Sequence, residues 1–200
     1  MQRRDMILGA SALGLLGALG ARAQDQRTLD AVSTYLNQLR SIEARFVQVA
    51  STGGRISGKL YMMRPGFIRF EYDGTDDMVL SDGINIGVFD SKSDRTVTKY
   101  PLRTTPLRHL LGDKIDLAGS GAATGTTNDG TLTQVILKDP KKPREGSLTL
   151  VFTNRPPALD RWKVLDAQGK QTTVVLQDLK KTSGYRRRFF NIEYEVSKRT

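Results

Sequence analysis

Four carboxylates, Glu71, Asp73, Asp76 and Asp77, lie within seven residues of one another, and a pair of carboxylates is the minimum equipment of a glycosidase. They crowd one turn, however, and lack the spacing of a calcium-binding EF-hand, so a solvated turn is the expectation. The chain has one histidine, His109, and no cysteine, which excludes a Cys–His pair and a multi-histidine metal centre. No serine sits in a Gly-x-Ser-x-Gly elbow. Gly119, Gly121 and Gly125 come with neither the lysine nor the following helix of a phosphate loop, so flexibility explains them. No catalytic residue, cofactor or metal is expected. An exported hydrolase working through the turn carboxylates is the alternative from another class.

Charge narrows the partners. The formal net charge is +10, and cleavage after Ala23 would leave +8, because Arg3, Arg4 and Arg22 depart together with Asp5. Such a balance favours acidic partners. Cations cluster in Lys138–Arg144 and in Tyr185–Phe190, where aromatic residues interleave with arginines in a pattern that could mimic a nucleic-acid surface. The N-terminus argues against nucleic acid. Residues 1–5 carry charge, Met6–Leu19 is apolar and Ala21-Arg22-Ala23 is a small-residue cleavage pattern, which together read as a signal peptide over residues 1–23. Arg3-Arg4 leaves both the general and the twin-arginine export routes open. The apolar stretch is too short to span a bilayer, and no later one is longer, so a soluble exported protein with a single domain over residues 24–200 is expected.

Three turn signals organise what must position any site: Arg64-Pro65-Gly66, Ser81-Asp82-Gly83 and Thr105-Pro106-Leu107. Between them apolar and polar residues alternate. Ile68, Phe70 and Tyr72 fall on one face of a strand, and Phe67, Arg69 and Glu71 on the other. Asp82-Gly83 suits a tight hairpin. A helix is expected from Thr28 as cap, with Leu29, Val32, Leu36 and Leu39 on one stripe. Strands are expected at 45–50, 58–63, 67–72, 78–80, 84–89, 96–100, 132–138, 147–152, 162–166 and 172–178, with 186–195 as a final strand. The stretch from Gly119 to Gly130 reads as a flexible joint between two halves. About ten strands cannot stay flat, so the sheet must curl into a concave face. An ordinary sheet-helix core is the bland account of that face.

The residues Phe46-x-Gln48, Leu60–Gly66, Leu80–Gly83 and Thr105–Leu107, with Leu148–Phe152 and Trp162–Gly169 later on, resemble the LolA family of periplasmic carriers of outer-membrane lipoproteins. The resemblance implies a mainly β fold with helices, an incomplete (half) antiparallel β-barrel with a helical lid over an apolar concave face. It implies an acyl-chain cavity lined by Phe46, Leu60, Met62, Ile68, Phe70, Leu148, Leu150 and Phe152, under lid residues Val32, Leu36, Leu39, Leu107, Leu110 and Leu111. It also implies that Arg64, the arginine before a proline, locks the closed lid through hydrogen bonds. Arginine suits that task, because its planar fork offers five donors and stays charged.

The same resemblance implies acylated lipoproteins as cargo, an ATP-driven extractor in the inner membrane, an outer-membrane acceptor, and a monomeric carrier in the periplasm that is not an enzyme. A related half-barrel that senses acylated ligands in envelope stress signalling is the runner-up. The chain departs from the family where Ile68 replaces an aromatic residue, where Trp162 is its only tryptophan, and where the last segment lacks a proline.

Overall fold

The computed structural model describes residues 13–93 and 97–199. The fold is mainly β. Eleven antiparallel strands form one sheet: β1 Ser41–Ala50, β2 Arg55–Met63, β3 Phe67–Tyr72, β4 Met78–Asp82, β5 Asn85–Phe89, β6 Thr98–Pro101, β7 Ala123–Asn128, β8 Leu132–Leu137, β9 Ser147–Asn154, β10 Pro157–Leu165 and β11 Gln171–Lys181. The helices are α1 Leu13–Gln38, α2 Arg108–Leu111 and α3 Ile192–Ser197. Across the sheet the strand order is β6-β5-β4-β3-β2-β1-β11-β10-β9-β8-β7. The edges β6 and β7 do not pair, so the barrel is open.

This order has a consequence for the connection between β6 and β7. Two meanders meet at the β1–β11 ladder, and the chain must travel from one edge of the sheet to the other between them. Residues 102–122 make that journey across one face, and Leu102, Leu110, Leu111, Ile115 and Leu117 join the core on the way. The crossover is part of the covering layer.

Ring contacts record how far the sheet curls. Phe70 on β3 and Trp162 on β10 are four strands apart, about 19 Å in a flat sheet at ordinary strand spacing. Their ring centroids are 6.3 Å apart. Phe46 on β1 lies between them in the order and meets Phe70 edge-on at 5.2 Å. Register shifts at Glu43/Arg45, Ala123/Gly125 and Leu159/Arg161 add local bends of the kind that curvature needs.

Period two assigns the faces as expected. Ile68 and Phe70 are buried in the main core with Tyr72 packed against it, while Phe67 joins a second cluster on the opposite face. That second cluster is built from Met78, Leu80, Phe89, Phe190 and Ile192. Its C-terminal members overturn one expectation, because residues 187–197 form a 3-10 turn and α3 instead of a strand. Asn191 accepts a hydrogen bond from the Tyr194 backbone N–H at 2.7 Å and so caps α3. Arg69, pointing the same way, bonds the Phe189 carbonyl at 3.0 Å and pairs with buried Glu195 at 3.0 Å.

Other boundaries moved. The expected Gly-rich joint contains edge strand β7. The first helix starts well before Thr28, since residues 13–27 are largely helix formers that continue the turn pattern. Residues 1–12 of the expected leader lie outside the described residues, as does Thr96 of the expected 96–100 strand. Among the described residues no helix is long and apolar enough to cross a membrane.

Candidate functional site

The eight residues expected to line the concave face, Phe46, Leu60, Met62, Ile68, Phe70, Leu148, Leu150 and Phe152, all belong to one buried cluster. Val32, Leu36, Leu39, Leu110 and Leu111 are buried in the same cluster, and Leu107 packs against it. The sheet supplies an apolar trough, and α1 with the 107–117 crossover fills it. Tyr35 meets Phe152 edge-on at 5.7 Å, and beside them a groove of about 280 Å³ runs past Val32 and Thr133 to solvent.

Polar bonds hold this cover, and Arg64 makes the densest set. Its side chain, 5% exposed, donates from Nη1 to the Leu36 carbonyl, from Nε to the Gly112 carbonyl at 2.8 Å, and from Nη2 to the Asp113 carbonyl at 2.9 Å and Asn37 Oδ1 at 3.1 Å. One guanidinium thus gathers carbonyls at and just beyond the C-terminal ends of both α1 and α2, where a cation also suits the helix dipole; the Leu36 carbonyl accepts from the Leu39 N–H as well, and the Asp113 carbonyl from Arg40. Burial first, then the like charge of Arg40, lowers its proton affinity from the ordinary arginine value, with Asp113 opposing.

The turn that presents Arg64 is itself stitched in place. Gly66 donates its N–H to the Leu111 carbonyl at 2.9 Å and accepts at its own carbonyl from Ser81 Oγ at 2.7 Å. Gly66 has φ +87°, and a Cβ there would lie 2.7 Å from the Cα of Gly83, so two turns meet at a distance only glycine permits. Two of the sequence motifs, Arg64-Pro65-Gly66 and Leu80–Gly83, are therefore two halves of one contact.

The α1 helix carries three polar side chains whose role the sequence alone does not reveal. Asn37 donates to the Ile115 carbonyl at 2.7 Å and accepts from the Ile115 N–H at 2.9 Å, Ser33 Oγ accepts from the Leu117 N–H at 3.0 Å, and Tyr35 Oη accepts from the Leu159 N–H at 2.9 Å. Ser33 and Asn37 stand four residues apart, one helical turn, and flank the apolar stripe. That spacing was the only signal available.

A second arginine ties α2 to the loop between β8 and β9. Arg108 pairs with Asp139 and with Glu145, each at 2.9 Å. The backbone N–H of Lys141, opposed by desolvation and aided by Arg108, holds Asp139 below the usual carboxylate range. His109, next along α2, is pushed below the ordinary imidazole value by burial and then by the Arg108 charge, which Asp139 and Glu145 only partly offset.

Three of the four carboxylates weighed for acid-base chemistry, Glu71, Asp73 and Asp77, are occupied otherwise. Arg45 grips Asp73 with both terminal nitrogens, and the Ser91 N–H donates to Asp77 at 2.7 Å; these bonds hold each carboxyl below its ordinary value. Glu71 pairs with Arg69 at 2.7 Å. A general acid needs the opposite, a carboxyl kept protonated.

A family model described as outer membrane lipoprotein carrier protein LolA matches residues 37–193. The outer-membrane lipoprotein carrier protein of Pseudomonas aeruginosa (strain UCBPP-PA14) is 27% identical over 186 residues, covering 88% of this chain and 87% of its own. The protein of the same name from Azotobacter vinelandii is 23% identical over 186 residues with the same coverage. Among solved structures, a DUF1329 family protein from Desulfovibrio piger matches with a TM-score of 0.51 at 10% identity, over 85% of this chain and 97% of that one, a likeness of fold.

Proposed function

Because the chain belongs to the LolA family, we propose that it is a soluble carrier that shields the acyl chains of lipoproteins between two membranes. The observation that carries this reading is an apolar trough covered by two helical pieces whose ends are held by a single guanidinium. Each buried methylene is worth about 0.8 kcal/mol, so a lipoprotein with several long chains does not leave a bilayer unaided. A carrier must offer an apolar surface when loaded and hide it when empty, since an exposed patch of that size aggregates.

The mechanism follows from which groups can exchange. Acyl chains displace Val32, Leu36, Leu110 and Leu111 from the trough lined by Phe46, Leu60, Met62, Ile68, Phe70, Leu148, Leu150 and Phe152, one apolar contact replacing another. Arg64 sets the threshold. Its bonds bias the cover towards closure, and the released carbonyls find water when it opens. Cargo is therefore held less firmly than in a bilayer and can be handed on. Leader residues 1–23 direct the chain to the periplasm, where an ATP-driven inner-membrane extractor loads it and an outer-membrane acceptor unloads it. No catalysis is involved.

The test is reconstitution. Protein incubated with inner-membrane vesicles, ATP and a labelled lipoprotein should yield soluble label in a one-to-one complex, only with ATP. Absence of any complex from correctly folded protein would sink the carrier reading and favour a sensor of acylated ligands.

A further inference from the structure

The arginines of the Tyr185–Phe190 cluster take no part in the covered trough. Arg187 and Arg188 are exposed, and among the described residues neither has a carboxylate at ion-pair distance. They lean on rings instead, Arg187 at 5.8 Å from the Phe67 centroid and Arg188 at 3.9 Å from that of Tyr194. Around them lie two adjoining open depressions, of about 500 and about 670 Å³, which share Phe67, Asp82 and Arg187. Arg188 lines the first, while Ile84, Pro65 and Arg103 line the second. Ile84, in the two-residue turn between β4 and β5, is 74% exposed, the most exposed large apolar side chain among the described residues.

Acidic groups only partly balance this end of the sheet, where the single charge of Asp82 faces Arg103, Arg187 and Arg188. Asp82 Oδ1 is taken by the Ile84 and Asn85 N–H groups at 2.9 and 2.8 Å, and Asp113 pairs with Arg40 at 3.0 Å. An apolar side chain standing out of the surface beside Arg103 and Arg187, which have no carboxylate partner among the described residues, with Arg188 in the adjoining depression, matches the interface of an anionic bilayer. There the apolar tip sits below the headgroups and the guanidinium groups bond phosphate oxygens. A protein partner would need a pit shaped for Ile84, whereas a fluid bilayer takes a protrusion anywhere.

We propose that this end of the sheet is a docking surface for anionic phospholipid, with Ile84 inserted and Arg103, Arg187 and Arg188 on the lipid phosphates. The surface adjoins the tie that holds the cover, since Pro65, Gly66 and Gly112 line the same depression. Docking would bring the Arg64 turn to the membrane where cargo changes hands.

The experiment needs no cargo, so it fails or succeeds separately from the carrier reading. Protein recovered from the periplasmic fraction of cells expressing the full chain is sedimented with vesicles of phosphatidylcholine alone, or mixed with phosphatidylglycerol, at low and high salt. Binding to the mixed vesicles and release by salt are expected. Each of Arg103→Gln, Arg187→Gln and Arg188→Gln should weaken binding about fivefold, and Ile84→Ser about tenfold. The positions are exposed, and circular dichroism checks the fold; the lipid and salt comparisons use unsubstituted protein and stand without the variants. Failure to bind anionic vesicles at low salt, or equal binding to neutral ones, overturns the proposal. So does binding untouched by all four substitutions, which would move the contact to another basic segment such as Lys138–Arg144.

Discussion

Replacing Arg64 by alanine should loosen the cover while leaving the sheet intact. The wild-type guanidinium makes four side-chain hydrogen bonds, to Leu36, Asn37, Gly112 and Asp113. At about 1.5 kcal/mol each, the low end for a charged donor, they total about 6 kcal/mol. Keeping a guanidinium out of water offsets roughly half, leaving about 3 kcal/mol in favour of closure. That corresponds to a closed-to-open ratio about 150-fold smaller in the variant. Hydrogen exchange at the amides of Leu36 to Leu39 should accelerate by that factor, provided the cover opens as a unit. A fluorescent fatty-acid probe should bind more readily and leave more slowly. If closure and folding are one transition instead, the same energy lowers Tm by about 6–12 °C. Arg64→Lys, which keeps the charge but loses the fork, should fall between the two. A folded Arg64→Ala protein with unchanged amide exchange, unchanged probe binding and unchanged Tm would refute the reasoning.

Four further outcomes follow from the structure. Gly58→Ala would place a Cβ 2.1 Å from the Glu71 carbonyl oxygen and 2.6 Å from Phe46, so the ladder or the ring must shift; a loss of about 2–3 kcal/mol should appear as a lower urea midpoint. Arg69→Met leaves buried Glu195 with Lys198 as its remaining cation and should cost about 2–3 kcal/mol, with Glu195→Gln in the same chain recovering part of it. Burial raises the Glu195 carboxyl, but bonds from Arg69 and Lys198 prevail and hold it below 4.5, so its contribution should be intact above that pH and fade as pH falls through the lowered value. His109 has a lowered pKa, so the unfolded chain takes up protons first; stability should be full above about 6.5 and decline as pH falls below it, a slope that His109→Asn should flatten in thermal scans.

Legibility in the sequence followed the range of the interaction. The alternation of Phe67 to Tyr72 is a local pattern, and it assigned both faces of β3. The 78–89 hairpin was also legible, although the two residues of its loop are Gly83 and Ile84, one step beyond Asp82-Gly83. Where a pattern admits two structures, local reading failed. Phe189 to Glu195 alternates like a strand, yet the Asn191 cap and the burial of Phe190 and Ile192 against the sheet make it helical. The family resemblance singled out Arg64 and the apolar lining, and those residues do converge. Arg108, Asn37 and Ser33 were missed because polar side chains beside an apolar helical stripe look solvated until their partners, distant in sequence, are known.

By itself the sequence determined the strand periodicity, the turn positions, the basic balance and the identity of the apolar residues, all of which depend on neighbours a few positions away. Only the tertiary structure decided that β1 pairs with β11, that the sheet curls until Phe70 reaches Trp162, and that the crossover from β6 to β7 lies over the trough. It also decided the acceptors of Arg64, which come from 28 and 48 residues away in opposite directions along the chain. Such contacts form because a twisted sheet of eleven strands must cover one face with whatever segments cross it, and no short window of residues records which segments those are.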